Sequence, residues 1–286
     1  MITLNLVNLE KSDIRYKISK FPDGQQTVDI IDNNGSVLMP NTSVKIISRL
    51  NDFKDLELII CSNQALINLG IVDISLFTPY FMGARSDRKF QYGGVNYLKQ
   101  IICPIINSQN FKSVTVVDPH SDVLEACLNN YSKINNFPLV DDALSYIIGE
   151  GEEDSIVLVS PDAGAYKKIF DVAKEFNINK IITATKVRDL QSGKILRTEI
   201  PTLDQHENLS YVIIDDICDG GRTFIELAKA IKGSRPTAKV YLVVTHGAGF
   251  VELNKLFSGI YCTNSYRDVA DDEYGIITNT KQLNLF

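Results

Sequence analysis

The stretch Val212-Ile-Ile-Asp-Asp-Ile-Cys-Asp-Gly-Gly-Arg-Thr223 constrains this chain most. An apolar run from Tyr211 to Ile214 ends in Asp215 and Asp216, a Gly-rich turn follows, and Phe224–Lys232 has the composition of a helix. Together these predict a buried parallel strand, a tight loop and a helix N-terminus. Such a loop aims several backbone N–H groups at one point, where the helix dipole is also positive, and a phosphate fits there. Two carboxylates at the strand end can hold two vicinal hydroxyls. A phosphate and a diol a short distance apart describe a ribose 5-phosphate unit. The plainer alternative is an ordinary strand-loop-helix turn with acidic residues at a helix cap. The combination of Asp-Asp with Gly-Gly-x-Thr after a fully apolar strand favours the ligand reading.

Other apolar runs recur along the chain: Leu56–Cys61, Ile74–Phe77, Ser113–Val117, Ser155–Val159, Lys180–Thr185, Lys239–Val244 and Gly259–Cys262. Read as strands alternating with helices, they predict an α/β protein whose parallel sheets are covered on both faces. Ligands of such sheets bind beyond the carboxyl ends of the strands. Polar residues gather at those ends: Asp118-Pro-His120, Ser160-Pro-Asp162, Lys186-Val-Arg188, Asp215-Asp216 and Thr245-His-Gly247. The polar, turn-rich region 131–154 is the expected place for a domain boundary.

Composition narrows the partners. The 286 residues carry a net charge of −6, and no basic block offsets it. That argues against a nucleic-acid partner. No apolar run is long enough to span a bilayer, and Met1-Ile-Thr-Leu-Asn5 leads at once into polar residues, so no membrane partner and a cytoplasmic location are expected. The five cysteines, Cys61, Cys103, Cys127, Cys218 and Cys262, are odd in number and lack CxxC spacing, which reads as reduced thiols used mainly in packing.

Asp215–Thr223 resembles the phosphoribosyl diphosphate (PRPP) binding loop of the phosphoribosyltransferase fold. Phe21-Pro-Asp-Gly-Gln25, Pro79-Tyr-Phe-Met-Gly-Ala-Arg-Ser-Asp-Arg-Lys89, Val117-Asp-Pro-His120, Val159-Ser-Pro-Asp-Ala-Gly164, Lys186-Val-Arg188 and Thr245-His-Gly247 stand around it in an order that resembles PRPP synthetase, ribose-phosphate diphosphokinase. The resemblance implies two tandem phosphoribosyltransferase-like domains: 1–138 on the ATP side, and 139–286 with the ribose-phosphate loop and catalytic lid. It implies transfer of the β,γ-diphosphate of Mg-ATP to the anomeric hydroxyl of a ribose 5-phosphate unit, with release of AMP.

The roles it implies are specific. Phe21, Asp23 and Gln25 would read adenine from a hairpin belonging to a neighbouring subunit, so a homo-oligomer is expected. Arg85 and Asp87 would bind ATP; a guanidinium fork suits phosphate oxygens. His120 would touch ATP, serve in catalysis and, with Asp162, bind Mg²⁺. Because Mg²⁺ prefers oxygen, His120 meeting a phosphate is the alternative. Lys186 and Arg188 resemble a catalytic pair on a lid, where two cations would stabilise charge on the transferring group. Asp215, Asp216, Asp219, Gly220, Gly221, Arg222 and Thr223 would hold the ribose phosphate.

The loop departs from the usual Asp-Thr-x-Gly-Thr in having Gly220 and Arg222. A monoester still fits such a loop, and so does the diphosphate of ADP-ribose, which also presents a free anomeric hydroxyl. In this respect the chain resembles phage-encoded relatives linked to ADP-ribose pyrophosphate in NAD rebuilding, for which the location would be host cytoplasm. Two other readings stand beside this one. A phosphoribosyltransferase consuming PRPP would leave Phe21–Gln25, Arg85–Lys89 and Asp162 idle. A non-catalytic synthetase subunit would be expected to have lost Lys186, Arg188, His120 or Asp162.

Overall fold

The computed structural model describes residues 1–31, 38–148, 156–188, 195–201, 209–249, 253, 256–268 and 280–286, with 186–188, 195–197, 280 and 281 described by backbone alone. They form two units, Met1–Asn135 with Leu285–Phe286, and Asn136–Asn284.

The first unit is built on a parallel sheet. Its strands are β1 (Ile2–Asn5), β4 (Ser43–Ile47), β5 (Asp73–Phe77), β6 (Val114–Val117) and β7 (Tyr131–Ile134), paired in that spatial order. An antiparallel hairpin, β2 (Tyr16–Lys20) and β3 (Gln26–Ile30), stands apart from it. The first helix, α1 (Phe53–Asn68), begins where Asp52 accepts hydrogen bonds from the N–H groups of Lys54 and Asp55. Its Leu56, Ile59 and Leu66 join the core formed by Leu4, Val44, Ile46, Leu76 and Val116. A π-helical turn, Leu98–Ile102, runs into α2 (Cys103–Asn107), and α3 (Val123–Cys127) follows β6.

The run Leu56–Cys61, expected as a strand, lies inside α1. A short apolar run has no period that separates strand from buried helix. The decisive signal is the Asp52 cap, which starts a 16-residue helix three residues before the run begins to be apolar.

The second unit also centres on a parallel sheet, in the order β15 (Thr280–Leu283), β14 (Gly259–Thr263), β13 (Lys239–Gly247), β12 (Ser210–Cys218), β8 (Ile156–Ser160) and β9 (Ile181–Thr183). Helices α4 (Phe137–Ile148), α5 (Tyr166–Glu175) and α6 (Arg222–Ser234) cover it. Part of the region expected to be a polar linker is therefore α4, whose Leu139, Val140, Ala143, Leu144 and Ile147 are buried. The run Lys180–Thr185 divides: β9 ends at Thr183, and β10 (Thr185–Arg188) turns away to pair antiparallel with β11 (Ile195–Glu199).

Side chains alternate across β12 with a period of two. Tyr211 and Ile213 pack with Phe224, Leu227 and Ile231 of α6. Val212 and Ile214 pack on the other face with Val140 of α4 and Ile169 and Val172 of α5. The five cysteines are free thiols. Burial pushes Cys103, Cys218 and Cys262 up to about 12, which suits packing and not nucleophilic work.

Candidate active site

In the second unit, β12 carries Asp215 and Asp216 toward its carboxyl end at Cys218, and Gly221, five residues after Asp216, caps the start of α6. Gly221 takes φ +68°, a left-handed conformation that disfavours other residues, and a Cβ there would come within 3.1 Å of the Leu253 side chain. Helix turns leave their first N–H groups without a carbonyl inside the helix, so those of Arg222 and Thr223 sit at the open end. The loop is braced by the segment after β13. The Ala248 N–H donates to the Cys218 carbonyl at 2.7 Å, and the Cys218 thiol lies 3.3 Å from the Gly249 carbonyl. A Cβ on Gly249 would stand 3.1 Å from the Asp219 carbonyl, so that glycine lets two backbones approach. No atom lies within 4 Å of where a Gly220 Cβ would be, and Asp219, Gly220 and Arg222 are exposed. The result is a braced loop, open on one side, over a helix N-terminus. It can hold an anion.

The two carboxylates differ. Asp216 is 5 % exposed, and its Oδ1 lies 3.7 Å from Lys168 Nζ on α5. Asp215 is half-buried and accepts the Asp216 backbone N–H at 2.9 Å. Burial pushes the Asp215 carboxyl well above the usual carboxylate range. The neighbouring Asp216 raises it further, while Lys168 and the Asp216 N–H pull in the opposite sense.

Beside this strand end, β8 leads into Pro161-Asp162. The Asp162 carboxylate accepts the N–H groups of Gly164 and Ala165 at 3.0 and 3.2 Å, and the Ser160 hydroxyl donates to the Asp162 carbonyl at 2.7 Å. That turn fixes Asp162 at the entry to α5. Lys186 and Arg188 stand on β10, and the lid stretch 189–194 lies outside the described residues. At the end of β13, His246 Nδ1 and the Ser265 hydroxyl are 2.8 Å apart and both are buried, which makes that histidine part of the packing between strand ends.

In the first unit, β6 is followed by Asp118, which holds a positive φ of 42° although it is not glycine and is 3 % exposed. Backbone strain of this kind persists where the surroundings over-determine it. Two residues on, His120 is exposed. The loop after β5 carries Arg85, also exposed, and Asp87. The Ser121 hydroxyl donates to the Asp87 carboxylate at 2.7 Å, and the Asn96 amide donates to the Asp87 carbonyl at 2.6 Å. Asp87 therefore ties the loop of Arg85 to the loop of His120. Phe21, Asp23 and Gln25 are exposed on the β2–β3 turn, where Gly24, at φ +99°, donates its N–H to the Phe21 carbonyl at 2.9 Å. Glu57 on α1 holds the hairpin next to its turn: Gln26 donates to it from backbone and side chain at 3.2 Å each.

Sequence reasoning missed Ser121 and Lys168. Ser121 gave no signal, since a serine beside a histidine is unremarkable. Lys168 gave one: it precedes Val172 by four residues, so in a helix it shares that residue's inner face, where a cation needs a partner.

Comparison with known proteins follows the same lines. The phosphoribosyl transferase domain family matches residues 130–270. The ribose-phosphate pyrophosphokinase 2 of Archaeoglobus fulgidus is 26% identical over 250 residues, covering 86% of this chain and 82% of that protein. The ribose-phosphate pyrophosphokinase of a Marinomonas species is 27% identical over 233 residues, covering 80% and 70%. The crystal structure of phosphoribosylpyrophosphate synthetase from Mycobacterium smegmatis superposes with a TM-score of 0.77 at 15% identity, over 96% of this chain and 88% of that one. The fold is thus that of two tandem phosphoribosyltransferase-like domains with parallel sheets, and the relatives' names support the ribose-phosphate pyrophosphokinase family.

Proposed function

We propose that this chain is a ribose-phosphate diphosphokinase-type transferase that moves the β,γ-diphosphate of ATP to the anomeric hydroxyl of a ribose 5-phosphate unit. The anomeric oxygen bonds to the β-phosphorus while the bond from that phosphorus to the α,β-bridging oxygen breaks, so AMP leaves. The observation that carries this reading is the β12–α6 junction, where a braced loop begins three residues after two carboxylates near the end of β12. Phosphoryl-type transfer asks little covalent chemistry of a protein; positioning and charge neutralisation dominate.

Each group then has a task. The loop of Asp219 to Thr223 binds the phosphate, and the acidic pair orients the diol so that the anomeric oxygen faces the donor. Arg85 and His120 hold ATP phosphates, with Asp87 fixing the spacing of their loops through Ser121. Phe21, Asp23 and Gln25 grip adenine in a site completed by a second copy of the chain. Lys186 and Arg188 neutralise charge that builds as AMP departs.

Mg²⁺ fits the residues present. No cluster of three or more His, Cys, Asp or Glu occurs among the described residues. Mg²⁺ needs none, because it is usually held by one or two carboxylates together with substrate phosphates and waters. Asp162 would hold it, with His120 on the phosphate side, and the ion when bound would neutralise the diphosphate.

The acceptor is ribose 5-phosphate or ADP-ribose, which share the recognised unit. Arg222, exposed at the first position of α6, is the group suited to a second phosphate. In an assay with ATP, Mg²⁺ and each acceptor in turn, mass analysis should find AMP and an acceptor heavier by a diphosphate. ADP with a singly phosphorylated sugar would sink the diphosphokinase reading.

A further inference from the structure

We infer that Lys168 is a positioning residue of the acceptor site, which acts by holding Asp216 on the α5 face of β12 and leaves Asp215 as the carboxylate that meets the acceptor's diol. The inference rests on the acceptor site proposed above and divides its two carboxylates.

The strand pleat supports the division. Asp215 has the parity of Tyr211 and Ile213, whose face packs on α6, and α6 begins at the anion loop. Asp216 has the parity of Val212 and Ile214, whose face packs on α4 and α5. A diol bound beside a phosphate on the α6 side therefore meets Asp215 first. Asp216 enters the opposite layer at 5 % exposure, and a buried carboxylate there needs a counter-charge.

Lys168 supplies it. Its side chain is 22% exposed and its Nζ is 3.7 Å from Asp216 Oδ1. The lysine is reached through a short chain of elements. β8 pairs with β12 from Ile156↔Ser210 to Val159↔Ile213, the Asp162 turn closes β8, and α5 starts four residues later. Ile169 and Val172, one and four residues after Lys168, anchor α5 against the sheet. The ammonium is thus placed by packing, and its position sets that of Asp216. Because the Asp216 N–H donates to the Asp215 carboxylate, movement at 216 is passed to 215. Lys168 also offsets part of the charge that two adjacent carboxylates create.

The test uses full-length Lys168→Met, Lys168→Arg, Asp215→Asn and Asp216→Asn proteins. Removing one partner of a largely buried pair should raise the acceptor KM of Lys168→Met by ~10-fold or more. Its ATP KM should stay near wild type, since ATP is assigned to residues of the first unit. Lys168→Arg should recover most of the loss. Asp215→Asn should lose acceptor use outright, whereas Asp216→Asn should lose less and should bring no further loss when combined with Lys168→Met. Thermal midpoints show whether each variant is folded, and Lys168→Arg tests the pairing if Lys168→Met is not. A Lys168→Met protein with wild-type acceptor KM, or Asp216→Asn more damaging than Asp215→Asn, would overturn the division of labour. Wild-type protein that forms no AMP with either acceptor would overturn the activity itself, a separate result.

Discussion

At the residue scale, Asp215 costs stability at the position proposed to meet the acceptor. Its folded-state carboxyl lies well above the ordinary value of 3.8, with burial first among the causes. A raised folded value means the native chain holds this proton more tightly than the unfolded chain. The group's contribution is fully favourable below 3.8 and is lost as pH climbs through the raised value. Asp215→Asn has no such proton. It should therefore unfold at a higher temperature than wild type at pH 8, with the gap closing as pH falls toward 4. A constant gap across that range would show that Asp215 is not the titrating group. Arg222 is the second residue with a sharp expectation. A forked contact to an extra phosphate is worth about 1.5–3 kcal/mol. Arg222→Gly should thus lower kcat/KM for ADP-ribose by roughly ten- to a hundredfold, and that for ribose 5-phosphate by less. Equal losses would leave Arg222 without a part in choosing the acceptor.

At the scale of elements, what could be read in advance depended on whether a segment carried its own signal. β12 and α6 did: an unbroken apolar run, then glycines, then an amphipathic stretch. All of β6 and the larger part of β8, β13 and β14 were equally plain. Leu56–Cys61 misled because the residue that makes it helical, Asp52, stands outside the run, and a cap is a local hydrogen-bond fact. The break at Ala184 between β9 and β10 had no signal, since Ile181 to Val187 reads as one β-prone stretch. The site divides in the same way. Residues proposed to face a ligand fall into recognisable strings, whereas their supports, Ser121 on Asp87 and Lys168 on Asp216, come from distant segments and emerge only once the chain is folded. The β10–β11 hairpin carries the element-scale prediction. In the proposed reaction, Lys186→Ala and Arg188→Ala each remove a charge needed chiefly in the transition state. Each should lower kcat on the order of 10²–10³-fold with little change in KM. Near wild-type turnover in both would make the pair part of an ordinary solvated hairpin.

At the scale of the whole molecule, a single chain presents Phe21, Asp23 and Gln25 on an exposed turn, although an aromatic that grips a base gains most when both its faces are covered. Glu57 also holds Gln26, the residue next to the turn, so the tip is a pre-shaped projection and not a loose loop. A projection of that kind is suited to complete a site on another copy. If it does, each working site draws the hairpin from one copy and the lid pair from its neighbour. The Phe21→Ala and Lys186→Ala proteins would then fail for different reasons in different subunits. Subunits mixed in equal amounts, dissociated and reassociated at random, would pair an intact hairpin with an intact lid in about one site of four. Activity should therefore rise well above that of either protein alone, toward about a quarter of wild type by that count. The rise should require reassociation and should vanish when the subunits are cross-linked before mixing. A mixture that never exceeds the mean of its two components would place hairpin and lid in the same copy, and Phe21 would then serve its own chain.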